Sequence, residues 1–474
     1  MSTERRKVDG DVRRIDQALS VREGRLFIEE MACDELASRF GTPIYVVSED
    51  QLRRNARSFQ AAFATRWTEG PVRVLPSLKA NYVLALRHVL TQEGMGCDTF
   101  GPSELTAALG AGVPPELISV NGTGKSAALI DDAVAAGARI TIDAARELPL
   151  IERAARRLGT RATVRFRLRP DLSGLSQPTD FDPDGMPTSE AARSYKAGIP
   201  ADDVVELGRR ALASDVLDLS GVHVHLPRHR PETGVYGIMT RAFIDLVAQL
   251  SGAWNGWVPR EIDIGGGFAV PRDPTGRLLS RLADRSAGPA PTIDEYADVI
   301  TSSLREELGR HGLPAEGLAL EVEPGRAMYA DAGIHLASVV NTKRETEPVP
   351  WRWVETDTTE MFLPDSLIEH NRWTVVLASR ADDEPVGAAD VVGISCGFDL
   401  MVPSVPLPEV RDGETLAFLD TGAYQDASAT NFNALPRPAT VLVHGAEAEI
   451  VKRAETVHDV FARDVVPDRL EEAQ

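Results

Sequence analysis

From about residue 48 to residue 330 the chain alternates between two hydrophobic periods. Short apolar runs of strand type occur at 72–78, 94–99, 117–121, 139–143, 163–168, 219–225, 261–264 and 318–323. Stretches with apolar residues at helical spacing stand at 50–67, before the first strand, and in the gaps at 125–138, 145–158, 202–213, 240–250 and 293–310. Strands joined through helices form parallel sheets, and eight such units predict an α/β fold, a (β/α)8 TIM-type barrel. An open, doubly wound sheet would tolerate the same alternation. After residue 341 the texture changes. Short β-type runs at 351–355, 373–378, 390–394, 415–419 and 439–443 are separated by Gly, Pro and Asp turns, with no long helical period. They predict a C-terminal all-β domain. The division expected is a disordered tail at 1–24, a segment at 25–47 lending a strand to the β domain, the barrel at 48–335 and the β domain at 336–474. Residues 271–291, rich in Pro, Gly and Arg, read as an inserted loop.

Composition narrows the function. A length of 474 residues exceeds one ordinary core, which suits two domains. No run of about 18 uncharged apolar residues exists, so no membrane span is expected, and residues 1–16 lack the apolar centre of a signal peptide. A net charge of −20 disfavours nucleic acid and anionic membranes as partners and leaves small-molecule chemistry. Three cysteines (Cys33, Cys97, Cys396) are too few for a disulfide framework, so a reducing cytoplasm is expected.

Candidate chemistry collects at the predicted C-terminal strand ends, where barrel enzymes place their active sites. Lys79 closes the first strand in Leu78-Lys79-Ala80-Asn81, a place suited to a Schiff-base amine, although most lysines are solvated surface charges. Gly265-Gly266-Gly267 follows Ile262-Asp263-Ile264. It reads as a phosphate cradle or as a plain turn. Asn121-Gly122-Thr123-Gly124-Lys125-Ser126 is no P-loop, because Ser119 stands where the first glycine belongs. Glu323-Pro324-Gly325-Arg326 ends the last strand, as a cofactor contact or a strand-end salt bridge. His223, His225 and His229 have the spacing of metal ligands but no further matching ligand, so no metal is expected.

In this order, with Cys396 in Gly393-Ile394-Ser395-Cys396-Gly397-Phe398-Asp399 and with Gly422-Ala423-Tyr424, these motifs resemble the fold-type III pyridoxal phosphate decarboxylases. Diaminopimelate and ornithine decarboxylases are members, and the resemblance covers roughly residues 25 to 465. It implies a pyridoxal 5'-phosphate cofactor held through Lys79. Glu323 would keep the pyridine nitrogen protonated, so that the ring accepts the electrons left by CO2. His225 would stack on the ring, and Gly265, Gly266, Gly267, Gly325, Arg326 and Tyr424 would serve the phosphate. Cys396 would return a proton, arriving from the second subunit of a homodimer with shared active sites. Asp98, Glu104 and Arg167 match supporting polar positions.

The departures concern the substrate, an amino acid. The family's acidic residue after the cysteine, which helps hold a distal amine, is Gly397 here. Its Arg-Pro-x-x-Tyr, which holds a distal carboxylate, is Leu363-Pro364-Asp365-Ser366-Leu367. Losing that arginine would leave the carboxylate unpaired. Leu363, Leu367, Gly397 and Asp399 are therefore expected to line a redirected pocket, with Asp365 or Glu369 as possible replacements for the acid. Arg228 stands where the family has a phosphate-binding serine. Lys196-Ala197-Gly198-Ile199 carries alanine in place of the family's phenylalanine, which opens space beside the barrel mouth. These changes predict a decarboxylase for an amino acid other than meso-diaminopimelate, possible in secondary metabolism. A genuine diaminopimelate decarboxylase and a D-ornithine or D-lysine decarboxylase stay open. A racemase is disfavoured by Glu323 and Cys396, and a non-catalytic paralogue by the retained Lys79.

Overall fold

The structure, a computed structural model, describes residues 12–173, 175, 188–225, 233–270, 290–368 and 373–471. It divides into two compact units. Leu52–Asp331 is one, and the segments on either side of it together make the other.

The central unit is an eight-stranded sheet in the order Val72–Val74, Ala319–Val322, Glu261–Asp263, Leu217–His223, Ala162–Arg167, Arg139–Ile142, Ile118–Val120, Cys97–Thr99. Every neighbouring pair is parallel, and a parallel bridge from Ser77 to Asp98 joins the two ends, so the sheet is a nearly closed barrel. All eight predicted strands are present, mostly shorter than the apolar runs. The observed helices include Glu49–Ala64, Ala127–Ala136, Glu147–Leu158, Ala201–Ala213, Gly234–Ala253 and Ile293–Arg310. Two more are Leu84–Gln92, directly after the Lys79 segment, and Pro102–Gly110. Alternation along Ala162–Arg167 explains the layering. Val164 and Phe166 face one way, Phe166 reaching Trp254 at 6.0 Å between ring centroids, while Arg165 and Arg167 face the other.

In the outer unit, Ile44–Ser48 pairs antiparallel with Gly333–Glu345 and parallel with Ala439–His444. This is the strand lent by the N-terminal region. The sheet continues through Trp351–Thr356, Gly387–Val392 and Leu400–Leu407 on one side and Glu447–Lys452 on the other, with Thr415–Leu419 also pairing Gly333–Glu345. The disordered tail expected at 1–24 is corrected from Val12 onward. Val12–Arg14 and Leu19–Arg22 form a small antiparallel sheet with Arg25–Ile28 and Met31–Ala32. The reason is a short alternation hidden among charges: Leu19, Val21, Leu26 and Ile28 are buried against Leu36, Val46 and Ile334. Residues 1–11 and most of the 271–291 insertion lie outside the described residues. Among the described residues, no helix is long and apolar enough to cross a membrane.

Candidate active site

The C-terminal mouth of the barrel is built on buried charge. Arg165, fully buried, forms ion pairs with Asp263 (2.6 Å), Glu321 (2.7 Å) and Glu323 (3.1 Å). Below it Arg139 bridges Glu261 and Glu321, and Arg73 adds a third cation to the same two carboxylates. A barrel core is ordinarily filled by branched apolar side chains. Here charged pairs fill it, and each buried charge depends on its partners.

Glu323 sits at the top of this network. Its Oε1 accepts hydrogen bonds from Asn121 Nδ2 (2.6 Å) and Arg165, while Oε2 lies 3.3 Å from His223 Nε2. Burial, helped by the Asp98 charge, pushes the Glu323 carboxyl up, and Arg165 pulls the other way. Burial lifts Asp263 more strongly, to about 8. His223 is driven down to about 3 by its burial and is neutral.

Lys79 lies on the single turn Leu78–Ala80 that follows the first strand, half exposed, its Nζ 3.6 Å from Asp98 Oδ2. Asp98 is fixed by Ser77 Oγ (2.5 Å) and by Asn121 Nδ2 (2.6 Å). Ser77 N–H also donates to Pro324 O, which ties the lysine turn to the Glu323 segment. Glu104 accepts from Phe100 N–H at 2.7 Å, and burial raises its carboxyl.

His225 Nδ1 accepts the Gly266 N–H at 3.0 Å, which leaves its proton on Nε2. Burial holds this imidazole neutral, and its ring lies within 10° of the His223 plane. Gly265 and Gly266 are required by close approach. Gly265 has φ +74 and a Cβ there would stand 2.5 Å from His225 Nδ1, while one on Gly266 would stand 2.2 Å from Glu323 O. The triplet does less as a phosphate cradle than its spacing suggested. Gly265 N–H is taken by Asp263 and Gly266 N–H by His225, so Gly267 carries the N–H of the three with no acceptor among the described residues. Beneath the triplet, Tyr236, Phe268 and Tyr296 pack as stacked and edge-on rings, and Tyr236 OH donates to Gly266 O. Arg326, buried, begins the short helix Arg326–Tyr329 just after Gly325. A cavity of about 1060 Å³ opens beside His225, lined among others by Arg167, Arg169, Tyr195 and Ala197.

Lys125, dismissed as a P-loop lysine, has a structural role. Its buried Nζ donates to Gly122 O, Thr141 O and Glu147.

In the outer unit, Cys396 is exposed on the loop after Gly387–Val392. Asp399 shapes that loop, accepting from Ser395 N–H, Glu360 N–H and Thr359 Oγ1. Both oxygens of Asp399 are thus committed within the protein, so its expected place in the pocket is corrected to a loop clamp. Leu363 is likewise corrected. It is wholly buried in the apolar core with Phe362, Trp373 and Phe418, because a leucine gains more there than at a wet surface. Leu367 is half exposed and Gly397 exposed. Asp365 is buried, and Tyr424 has φ +65 at the start of Gln425–Ser428. Arg228, His229 and Glu369 lie outside the described residues.

The chain belongs to the pyridoxal-dependent decarboxylases: the family profile described as "Pyridoxal-dependent decarboxylase, pyridoxal binding domain" matches residues 49–330. It is a carboxy-lyase that uses pyridoxal phosphate, and its curated relatives are diaminopimelate decarboxylases. A diaminopimelate decarboxylase of Pseudomonas aeruginosa is 30% identical over 445 residues, covering 94% of this chain and 97% of the relative. One from Methanocaldococcus jannaschii is 28% identical over 459 residues, covering 96% and 98%. A crystal structure of diaminopimelate decarboxylase from M. jannaschii superposes with a TM-score of 0.85 at 28% identity, covering 96% of this chain and 99% of that one.

The barrel mouth fits the cofactor by its own geometry. A half-exposed lysine faces a buried carboxylate, and the two His223 ring nitrogens have no hydrogen-bond partner among the described residues. The close-packed glycines keep side chains out of the space beside them. Sequence reasoning missed Arg165, Asp263, Glu321, Asn121 and His223's place beside Glu323. The alternation Val164-Arg165-Phe166-Arg167 was the available signal, since it puts both arginines on one strand face.

Proposed function

We propose that this enzyme decarboxylates an amino acid other than meso-diaminopimelate. The observation that carries the reading is Gly397, directly after Cys396, where the family's acidic contact to the substrate stands. Leu367, half exposed, supports it, because a leucine cannot clamp a second carboxylate. A carboxyl still borders the position: Glu360 Oε1 is 3.5 Å from where a Gly397 Cβ would stand. Burial raises that carboxyl, and a substrate cation beside it would offset the cost of ionising it.

In this reading Lys79 would hold the cofactor through its amine. Bound pyridoxal phosphate supplies the electron sink for the pair left when CO2 departs. Glu323, with one oxygen spent on Asn121 and Arg165, offers the other to a protonated ring nitrogen. His225 presents a flat, neutral ring for stacking. Gly267 N–H and Arg326 would hold the phosphate, with Gly265, Gly266 and Gly325 giving it room and Asp98 supporting the lysine. Cys396 delivers a proton to the substrate α-carbon in place of the lost carboxylate, across the subunits of a homodimer.

The test is purified, cofactor-loaded enzyme incubated with meso-diaminopimelate, with mass spectrometry looking for lysine. We expect none while the cofactor's absorption band is intact, and turnover with a member of a panel of D- and L-ornithine, lysine and larger conjugated amino acids. Lys79→Ala should lose both the band and all turnover. Rapid lysine formation would overturn the specificity and leave a diaminopimelate decarboxylase, the second reading, which the 28–30% identity to such enzymes favours.

A further inference from the structure

Among the described residues, Cys396 is held by a single side chain. Its backbone N–H donates to Asn433 Oδ1 at 2.8 Å, and Asn433 Nδ2 donates to Cys396 Sγ at 3.1 Å. The backbone N–H can only donate, so it fixes which end of the carboxamide is oxygen and leaves the NH2 end facing the sulfur. Both bonds close on one residue, which limits the thiol to one orientation.

The two partners rest on separate supports. The cysteine loop is anchored through Asp399, as described above. The asparagine loop is anchored through Glu455. That carboxylate accepts from Asn431 Nδ2 (2.6 Å), Arg437 N–H (2.9 Å) and Arg437 Nε (2.9 Å), and the Arg437 bond holds it down at about 2. Asn433 has φ 58 and ψ 21, and Ala434 follows at φ 56. Two consecutive non-glycine residues in the left-handed region cost energy, and asparagine is among the few side chains that tolerate it. The strain goes with a carboxamide aimed at the thiol.

We propose that Asn433 is the positioning residue of Cys396. It holds Sγ in one rotamer and keeps an N–H on the sulfur as the thiol gives its proton to the substrate carbon, after which solvent restores the proton. This rests on the reading of Cys396 as the proton donor.

Asn433→Asp separates positioning from folding. It keeps an oxygen for the Cys396 N–H and tolerates the left-handed backbone, but puts an acceptor where Sγ needs a donor. Asn433→Gly, free of backbone strain, removes both contacts. The readout is the alkylation rate of Cys396 by iodoacetamide in the full-length, cofactor-loaded protein at neutral pH, followed by mass spectrometry. Cys33 and Cys97 are buried, so Cys396 is the cysteine open to the reagent. We expect both variants to label about fivefold more slowly or worse, the loss of roughly one hydrogen bond to sulfur. Labelling at the wild-type rate in both would overturn the role of Asn433. A separate arm, Cys396→Ala, tests the underlying reading through amine formation from the best substrate of the panel. Undiminished amine formation there, with slowed labelling in the Asn433 variants, would overturn the proton-donor reading and the proposal with it.

Discussion

The barrel mouth and the Cys396 loop hold their chemistry in opposite ways. At the mouth Glu323 and Asp98 are buried, and Asn121 and Arg165 from separate strands bind them several times over. On the loop Cys396 and Gly397 are exposed, and one carboxamide and one aspartate hold the local geometry. Buried charges tolerate little change, because any lost partner leaves an uncompensated ion. An exposed loop can exchange a glutamate for a glycine at small cost to stability. The difference sets how much a single substitution costs in each region.

The contrast breaks most severely if Arg165 proves dispensable. Arg165→Met leaves Glu321 and Glu323 without their shared cation. We expect about 3–5 kcal/mol of lost stability, read from denaturant unfolding, against a change within about 0.5 kcal/mol for Gly397→Ala on the exposed loop. Equal effects would sink the comparison.

Glu323→Gln sharpens it on the side of function. The amide keeps the packing and removes the charge, so kcat should fall by roughly 10²–10³ while the cofactor still binds. An unchanged kcat would remove Glu323 from the electronics of the site.

The smallest effect is a pH slope. Asp263 holds its proton in the folded state up to about 8, far above its ordinary 3.8. Its contribution to stability is therefore complete below 3.8 and lost as pH rises toward 8. His223, lowered from 6.5 to about 3, acts in the opposite sense but only below 6.5. Between about 6.5 and 8 stability should fall with rising pH, by at most about 1.4 kcal/mol per pH unit for this one proton. Asp263→Asn should flatten that window in unfolding experiments. A slope that persists in the variant would assign it elsewhere.

Much of this was legible in one dimension. Eight apolar runs separated by helical periods read directly as a barrel, since each period reports which faces must be buried. Lys79, Glu323 and the glycine triplet were visible because strand ends with unusual residues are conspicuous. The strands Val12–Arg14 and Leu19–Arg22 were not, because two or three apolar residues among arginines and aspartates carry too little period. Leu363 was misjudged for a related reason. Its motif position suggested a pocket, but which way a side chain turns depends on the core packed behind it.

The sequence by itself determined the fold, because hydrophobic period is a local property, and its resemblance to the fold-type III decarboxylases implied the cofactor chemistry and the order of the groups that serve it. Tertiary structure alone decided that Arg165 joins three carboxylates, that Gly265 and Gly266 give their N–H groups to Asp263 and His225, and that Asn433 holds Cys396. Apart from Gly265 and Asp263, which are neighbours in sequence, these partners lie on different strands and loops, tens of residues to more than a hundred apart. Their meeting follows from strand register and loop closure, which no local pattern encodes.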